Sequence, residues 1–190
     1  MNKPIAALLA AAVCSSAFAD STSYTLDPNH TYPSFEADHM GISLWRGKMN
    51  RTTGKMTLDK DSGEGTIDVK LYPASIDFGN TKLNEWAKGK DFFQVDKYPQ
   101  AEYKGKLIGF TGHGQAHVAG ELTLHGVTKP LDLAVNSFKC IQHPMFKKDY
   151  CGADAEATFN REDFGLTAGK DYGFRMDVIL RIQVEAVADK

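Results

Sequence analysis

The chain has 190 residues, of which 42% are hydrophobic and 24% are charged, and its formal net charge is −2. This is the composition of an ordinary soluble domain, and the length suits a single all-β barrel or sandwich. Nucleic-acid binding depends on a basic patch that displaces counterions from phosphates, and no basic run occurs in the sequence. The sequence therefore predicts no nucleic-acid partner.

The first 19 residues have the pattern of a signal peptide. Lys3 gives a positive start, residues 5–13 form a short apolar run, and residues 17–19 (AFA) match a cleavage site. The apolar run is too short to cross a bilayer, which takes ~20 residues. We therefore predict cleavage after Ala19, a mature chain that begins at Asp20, a periplasmic location and no stable membrane insertion.

The sequence contains three cysteines, and the first falls in the predicted leader. A lipid anchor on Cys14 is an alternative that fits poorly, since Ala11 and Val13 stand where such a signal has a leucine and a small residue. Cys140 and Cys151 stay in the mature chain. In an oxidising compartment such a pair is more often a disulfide than a metal site, so we predict a bridge, with two free thiols as the alternative.

Alternation of apolar and polar residues predicts most of the strands in chain order. The clearest unit is residues 118–135, in which a strand with inward Val118, Leu122 and Leu124 is followed by a loop around Gly126 and then by a second strand that begins near Pro130. Further strands are predicted at residues 67–71, 101–110, 155–159 and 174–186. Residues 31–45 have a mixed pattern that favours a strand followed by a short helical turn.

Residues 80–90 form the one convincing helical stretch. Leu83 and Trp86 share a face with an alanine, Asn80 or its neighbour can cap the first turn, and Gly89 can end the helix. About eight extended segments and one short helix favour an all-β fold, as an antiparallel barrel or sandwich. A barrel of about eight strands either fills with side chains or holds one small ligand.

Catalytic and metal-binding motifs are sparse. No G-x-S-x-G nucleophile motif occurs. His113 and His117 are spaced to share one side of a strand, but a third ligand is missing, so we predict no metal site. His30, His39 and His125 adjoin apolar stretches or turns, where a histidine is either a structural residue or a contact for the polar head of a ligand.

Several ordered motifs resemble the YceI-like family of exported, lipocalin-like proteins along nearly the whole mature chain. The matching segments are 24–30 (YTLDPNH), 38–41 (DHMG), 74–80 (ASIDFGN), 91–93 (DFF), 97–99 (KYP), 120–130 (GELTLHGVTKP) and 160–166 (NREDFGL). The sequence departs from the family pattern at Asp38, where a basic residue often precedes the histidine, and in the segment between the two cysteines.

The resemblance implies an eight-stranded antiparallel lipocalin-like barrel with one or two short helices, whose apolar interior binds a polyisoprenoid or similar lipid. We expect a bound prenyl quinone or polyprenyl phosphate, no required cofactor and no catalytic residues. Together with the alternation, the motifs predict the ligand-facing side chains Phe35, His39, Met40, Ile42, Trp45, Ile67, Val69, Phe78, Trp86, Phe92, Phe93, Leu122, Leu124, Phe164, Phe174, Met176 and Val178.

Apolar burial can account for the affinity, since each buried CH₂ contributes ~0.8 kcal/mol and ten contribute ~8 kcal/mol before the costs of binding. Two alternatives stay open. One is an enzyme that acts on such a lipid with His39 or His125 as acid or base; the other is a structural or stress-related module with a filled core. The sequence also leaves open a homodimer and a membrane redox or lipid-handling partner.

Overall fold

The computed structural model describes residues 21–110 and 116–190. The predicted signal peptide and His113 lie outside these residues. The leader, the cleavage after Ala19 and the placement of His113 and His117 on one side of a strand therefore stay predictions. Within the described ranges, no helix is long and apolar enough to cross a membrane.

The described residues form twelve strands and one α-helix, α1 (Thr81–Lys88), with three short 3₁₀ turns. The strands are β1 (Thr22–Leu26), β2 (Tyr32–His39), β3 (Ser43–Met49), β4 (Thr52–Asp59), β5 (Glu64–Leu71), β6 (Ile76–Asp77), β7 (Ala101–Ile108), β8 (Ala116–Leu124), β9 (Val127–Pro130), β10 (Leu133–Gln142), β11 (Asp149–Asn160) and β12 (Asp177–Ala188).

Eight of these strands close into an antiparallel barrel. Neighbouring strands follow the order β1, β4, β5, β7, β8, β10, β11 and β12, and β12 pairs back with β1. The predicted eight-stranded barrel with a short helix is therefore confirmed. Closure removes the unpaired strand edges that an open sheet would present.

β12 organises one side of the barrel because it is long enough to pair with two strands on the same edge. Its residues 186–188 pair with β1, and its residues 178–183 pair with β2. β3 pairs with β2, so β2 and β3 extend the wall beyond β1 and β4. The alternation predicted for this strand points one row of side chains into the barrel.

The helix forms where its caps predict it. The side chain of Asn80 accepts a hydrogen bond from the backbone N–H of Leu83 at 3.1 Å, and Gly89 follows the last helical residue. The first turn thus gains a partner for one of its free N–H groups. α1 lies beside β6, which pairs with β3, so the helix stands at the end of the barrel where β2 and β3 project.

Two local predictions were wrong. Residues 127–130, predicted as a loop, form β9 and pair with β8, because His125 (φ +53°) and Gly126 (φ +80°) already complete the turn. Pro130 consequently ends a strand that has β8 as its neighbour. Residues 31–45 contain no helical turn: β2 and β3 are joined at Met40 and Gly41, which both adopt positive φ.

The predicted disulfide is confirmed. Cys140 of β10 and Cys151 of β11 stand directly opposite each other in the ladder, with a Cα–Cα distance of 4.0 Å, and their sulfurs are bonded. The bridge clamps the two strands next to their connecting hairpin. Cys151 is buried against the barrel interior.

Candidate functional site

The barrel encloses a cavity of about 250 Å³. This volume is just below the ~300–1,000 Å³ range of small-molecule pockets. The inward side chains therefore do not meet in the middle, which is the opposite of what the filled-core alternative requires.

The cavity wall is almost entirely apolar, because each strand contributes every second side chain. The aliphatic, aromatic and small residues on it are Leu26, Pro33, Phe35, Ala37, Trp45, Met49, Met56, Ile67, Val69, Leu71, Ile76, Phe78, Trp86, Phe92, Phe93, Ala101, Leu107, Val118, Leu122, Leu124, Leu131, Leu133, Val135, Phe138, Cys151, Gly152, Ala153, Ala155, Phe159, Leu166, Ala168, Phe174, Val178, Leu180, Ile182, Val184 and Ala186.

Five side chains with hydroxyl or charged groups complete the wall: Thr31, Asp38, Thr52, Tyr103 and Arg161. The Tyr103 hydroxyl donates to the carbonyl of Leu131 at 2.9 Å, and burial raises the pKa of Tyr103 so that it stays a donor. Thr52 is fully buried, and its Oγ1 has no hydrogen-bond partner among the described residues. The wall is thus apolar with a few isolated polar points.

The two ends of the cavity differ. At one end Phe138 lines the cavity, and its ring packs against that of the buried Phe110 with the centroids 3.9 Å apart. We call this the Phe138 end. At the other end Trp86 of α1 lines the cavity while 41% of its surface is exposed, which marks the side where the cavity approaches solvent. Its ring stacks on Phe92 with the centroids 5.1 Å apart. We call this the helix end.

The structure brings twelve of the predicted ligand-facing residues onto the cavity wall: Phe35, Trp45, Ile67, Val69, Phe78, Trp86, Phe92, Phe93, Leu122, Leu124, Phe174 and Val178. They come from five strands, the helix and three loops, so the fold brings together residues that are far apart in the sequence. Contact of any of them with a ligand stays a prediction.

Five of the predicted residues are not on the wall. Met40 and Ile42 are 50% and 78% exposed in the turn between β2 and β3, where the strand alternation stops. Met176 precedes the start of β12, and its carbonyl accepts from the N–H of Arg161. Phe164 is buried outside the wall, edge-on to Phe159.

His39, the fifth, is placed against the wall from outside. Its ring stacks on Trp45 with the centroids 4.3 Å apart and meets Phe174 edge-on at 4.9 Å. It therefore supports two rings that do line the cavity.

The wall also contains residues that sequence reasoning missed. Leu133, Val135, Leu180, Ile182 and Val184 continue the alternation of β10 and β12, so the signal that would have found them was already present. Arg161 was recognised as part of a family motif but was assigned no role. Nothing in its local sequence shows that the barrel end turns it inward.

Neither histidine of the enzyme alternative faces the cavity. His125 lies in the turn after β8, and its Nδ1 donates to the carbonyl of Phe164 at 3.1 Å. Its buried Nε2 has no partner among the described residues. No carboxylate of the described residues lies within 4.0 Å of His39 or His125, so neither histidine is part of a histidine–carboxylate pair.

One cluster of possible metal ligands occurs within the described ranges, formed by Cys140, Cys151 and Asp149. Its two sulfurs are bonded to each other, and Asp149 accepts from the Tyr24 hydroxyl and pairs with Lys60. These atoms are already engaged. The cluster therefore does not form a metal site.

Known proteins share both the sequence pattern and the fold. A UPF0312 protein of Pseudomonas putida (strain W619) is 31% identical over 194 aligned residues, which cover the whole of both chains. The fold is similar to that of BcnA from Burkholderia cenocepacia, with a TM-score of 0.72 and 20% identity over 84% of this chain and 98% of that one.

A second solved structure, described as a polyisoprenoid binding domain from Saccharophagus degradans implicated in plant cell wall breakdown, is similar with a TM-score of 0.64 and 14% identity over 88% of this chain and 99% of that one. At such identities the two structures support the fold alone. The sequence profile of the YceI-like domain matches residues 24–186. The chain therefore belongs to the YceI-like family.

Proposed function

We propose that this protein holds or carries a long-chain polyisoprenoid or a similar amphiphilic lipid, of the prenyl quinone or polyprenyl phosphate class, inside its barrel. The observation that carries the proposal is the enclosed cavity, whose wall offers hydrophobic contact along its length and few polar groups. The description of the Saccharophagus degradans domain as polyisoprenoid binding supports the same class of ligand.

The shape of the cavity favours an elongated chain over a compact ligand. Ala153 is the register partner of Phe138 near the Phe138 end, and Asn160 of the same strand lies at the helix end. The seven residue steps from Ala153 to Asn160 span roughly 23 Å along the strand at ~3.3 Å per step. An isoprenoid tail has no hydrogen-bonding groups, so it gives up no hydrogen bonds to water on entering such a space.

The protein acts in this proposal as a binding protein, without a chemical step. Among the described residues the wall has no paired acid–base groups: the carboxylate of Asp38 is engaged by backbone and guanidinium donors, and the Tyr103 hydroxyl by a carbonyl. A carrier needs no such groups, because burial of the tail provides the free energy of binding.

A titration of delipidated protein with a prenyl lipid tests the proposal. The chain has two tryptophans, and both Trp45 and Trp86 line the cavity, so their fluorescence reports its occupation. We expect saturable binding by the wild type and loss of binding in Ala155→Phe, whose new ring projects into the cavity.

Ala134→Phe is the matched control. Ala134 is exposed on β10, next to Val135, whose register partner is Ala155. The same substitution on the outer face should leave binding unchanged. Equal binding by both variants, or no saturable binding by the wild type, would contradict the proposal.

The proposed location is the periplasm, after removal of residues 1–19. Expression of the full chain in a Gram-negative host, followed by osmotic shock and N-terminal sequencing, tests it. We expect released protein that begins at Asp20; full-length chain confined to the cytoplasmic fraction would contradict it.

A further inference from the structure

Among the described residues, Arg161 is the one basic side chain on the cavity wall. It is 6% exposed, so its charge has largely been removed from water. A buried cation is costly unless nearby groups compensate it, and a carboxylate is the usual partner. The surroundings of Arg161 therefore indicate what the helix end of the cavity can bind.

The local sequence holds this side chain firmly in place. The Asn160 side chain caps the turn Arg161–Phe164, and Gly165 reverses the chain with a φ of +75°. The two terminal nitrogens of Arg161 then donate to the carbonyls of Leu166 and Ala168 at 2.6 and 2.7 Å. A planar guanidinium held in this way is preorganised for further hydrogen bonds.

No carboxylate compensates the charge. Within residues 21–110 and 116–190, no acidic oxygen lies within 4.0 Å of Arg161, and Glu162 beside it pairs with Lys170 instead. The partners of Arg161 are two neutral carbonyls and the ring of Phe92, whose centroid lies 5.8 Å from Cζ. Burial lowers the pKa of the guanidinium, which reflects the same incomplete compensation.

Asp38 provides the contrast at the same end of the barrel. Its carboxylate accepts hydrogen bonds from the N–H of Gly41, the N–H of Arg175 and the guanidinium of Arg175. The negative charge on the wall is thus fully engaged by its own partners, while the positive charge is not. The helix end therefore has an unmatched positive charge, whereas at the Phe138 end the described residues place no charged group on the wall.

We propose that Arg161 is the head-group subsite of the cavity. Its guanidinium, backed by Phe92, binds an acceptor oxygen on the head of the bound prenyl lipid, and the tail runs toward Phe138. A phosphate oxygen and a quinone carbonyl share this chemistry. The inference rests on the proposed function and adds to it an orientation and a preference among ligands.

Three probes with matched tails test the preference in delipidated wild-type protein: geranylgeranyl phosphate, the menaquinone that carries a geranylgeranyl tail, and a tail-matched hydrocarbon without a head group. A hydrogen bond to a charged group is worth ~10- to 100-fold in affinity. We therefore expect at least one head-bearing probe to bind about 10-fold or more tighter than the hydrocarbon. If the phosphate binds more tightly than the quinone, the negative charge of the head group determines the preference. If the quinone binds as tightly as the phosphate, the acceptor oxygen alone determines it.

The Arg161→Met variant tests whether the preference for the head-bearing probes depends on this side chain. We expect this variant to lose most of the wild type's preference for the head-bearing probes over the hydrocarbon, and a variant that keeps the preference would overturn the subsite. Arg181→Met is the matched control, since Arg181 is exposed on the outer face of β12 and pairs with Glu156. It should keep the wild-type preference.

The outcomes separate this inference from the proposed function. If none of the probes binds saturably, the carrier function itself fails. If all three bind the wild type with equal affinity, the lipid function stands and the head-group subsite is overturned. That comparison needs no variant, so it can overturn the subsite even if Arg161→Met does not fold.

Discussion

Asp38 and Arg175 meet across the gap between the end of β2 and the segment that leads into β12. Oδ1 of Asp38 accepts from the guanidinium of Arg175 at 3.1 Å, and Oδ2 accepts from the N–H groups of Arg175 and Gly41, each at 3.0 Å. Asp38 is only 5% exposed. The contact ties the turn after β2 to the segment that carries Phe174 to the cavity wall.

The N–H of Arg175 is the largest of several donors that hold the pKa of Asp38 below its usual range. A carboxyl whose pKa is depressed by folding contributes stability that is present above the unfolded value of about 3.9 and is lost as the pH falls through the folded pKa. Asp38→Asn removes this contribution. We expect the variant to melt below the wild type at neutral pH and the difference to shrink as the pH falls below about 4.

Thermal melts across the acid range measure this. The exposed Asp163→Asn is the control, and its melting temperature should follow that of the wild type throughout. If the difference in melting temperature between Asp38→Asn and the wild type does not change with pH, the carboxylate charge is not the cause of the lost stability.

The disulfide should stabilise the barrel, although only one of its cysteines, Cys151, lies on the cavity wall. Removing the bridge in a Cys140→Ser/Cys151→Ser variant should lower the free energy of unfolding by up to ~3 kcal/mol, since the bridge closes a short loop. Lipid affinity should persist, because the β10–β11 ladder continues on both sides of the bridge.

Urea denaturation with and without reductant checks this. Reductant should lower the free energy of unfolding of the wild type to that of the double variant. It should leave the free energy of unfolding of the double variant unchanged. A wild type that is equally stable with and without reductant would contradict the prediction.

Gly120 makes room for the tyrosine on the cavity wall. A Cβ at this position would collide with the Tyr103 hydroxyl and would lie 2.7 Å from the carbonyl oxygen of Lys104. We expect Gly120→Ala to destabilise the protein by ~1–3 kcal/mol through overpacking.

Gly152 is the matched strand glycine, because a Cβ there would meet its nearest atom at an ordinary 3.5 Å. Gly152→Ala should change the free energy of unfolding by no more than ~0.5 kcal/mol. Equal losses in the two variants, measured by urea denaturation, would mean that crowding around Tyr103 is not the cause.

Elements with a single strong local signal could be predicted from the sequence. Asn80 and Gly89 bound α1 because one side chain caps its first turn and the other residue ends it. The paired strands β8 and β10 follow from the alternation around Val118 and Leu133, which face each other in the ladder. The cap of α1 is formed by residues next to the helix, and the partner of β8 follows soon after it in the chain. Both interactions are therefore close in sequence to the pattern that predicts them.

Features that depend on contacts between residues far apart in the sequence could not be predicted. Pro33 lies in β2 although proline normally avoids strands; it pairs with Ile182 on one side, and the ladder with β3 starts one residue later, at Ser34. His125 adopts a positive φ, which its sequence does not require. Arg161 faces the cavity because the segment after β11 folds back across the helix end.

The most direct test of the central claim is the lipid content of protein purified from its bacterial host without detergent, measured by native mass spectrometry and by organic extraction. The hollow barrel predicts one prenyl lipid per chain in the wild type and in Ala134→Phe, and none in Ala155→Phe. A wild type without stoichiometric lipid, or an Ala155→Phe variant that retains it, would contradict the account.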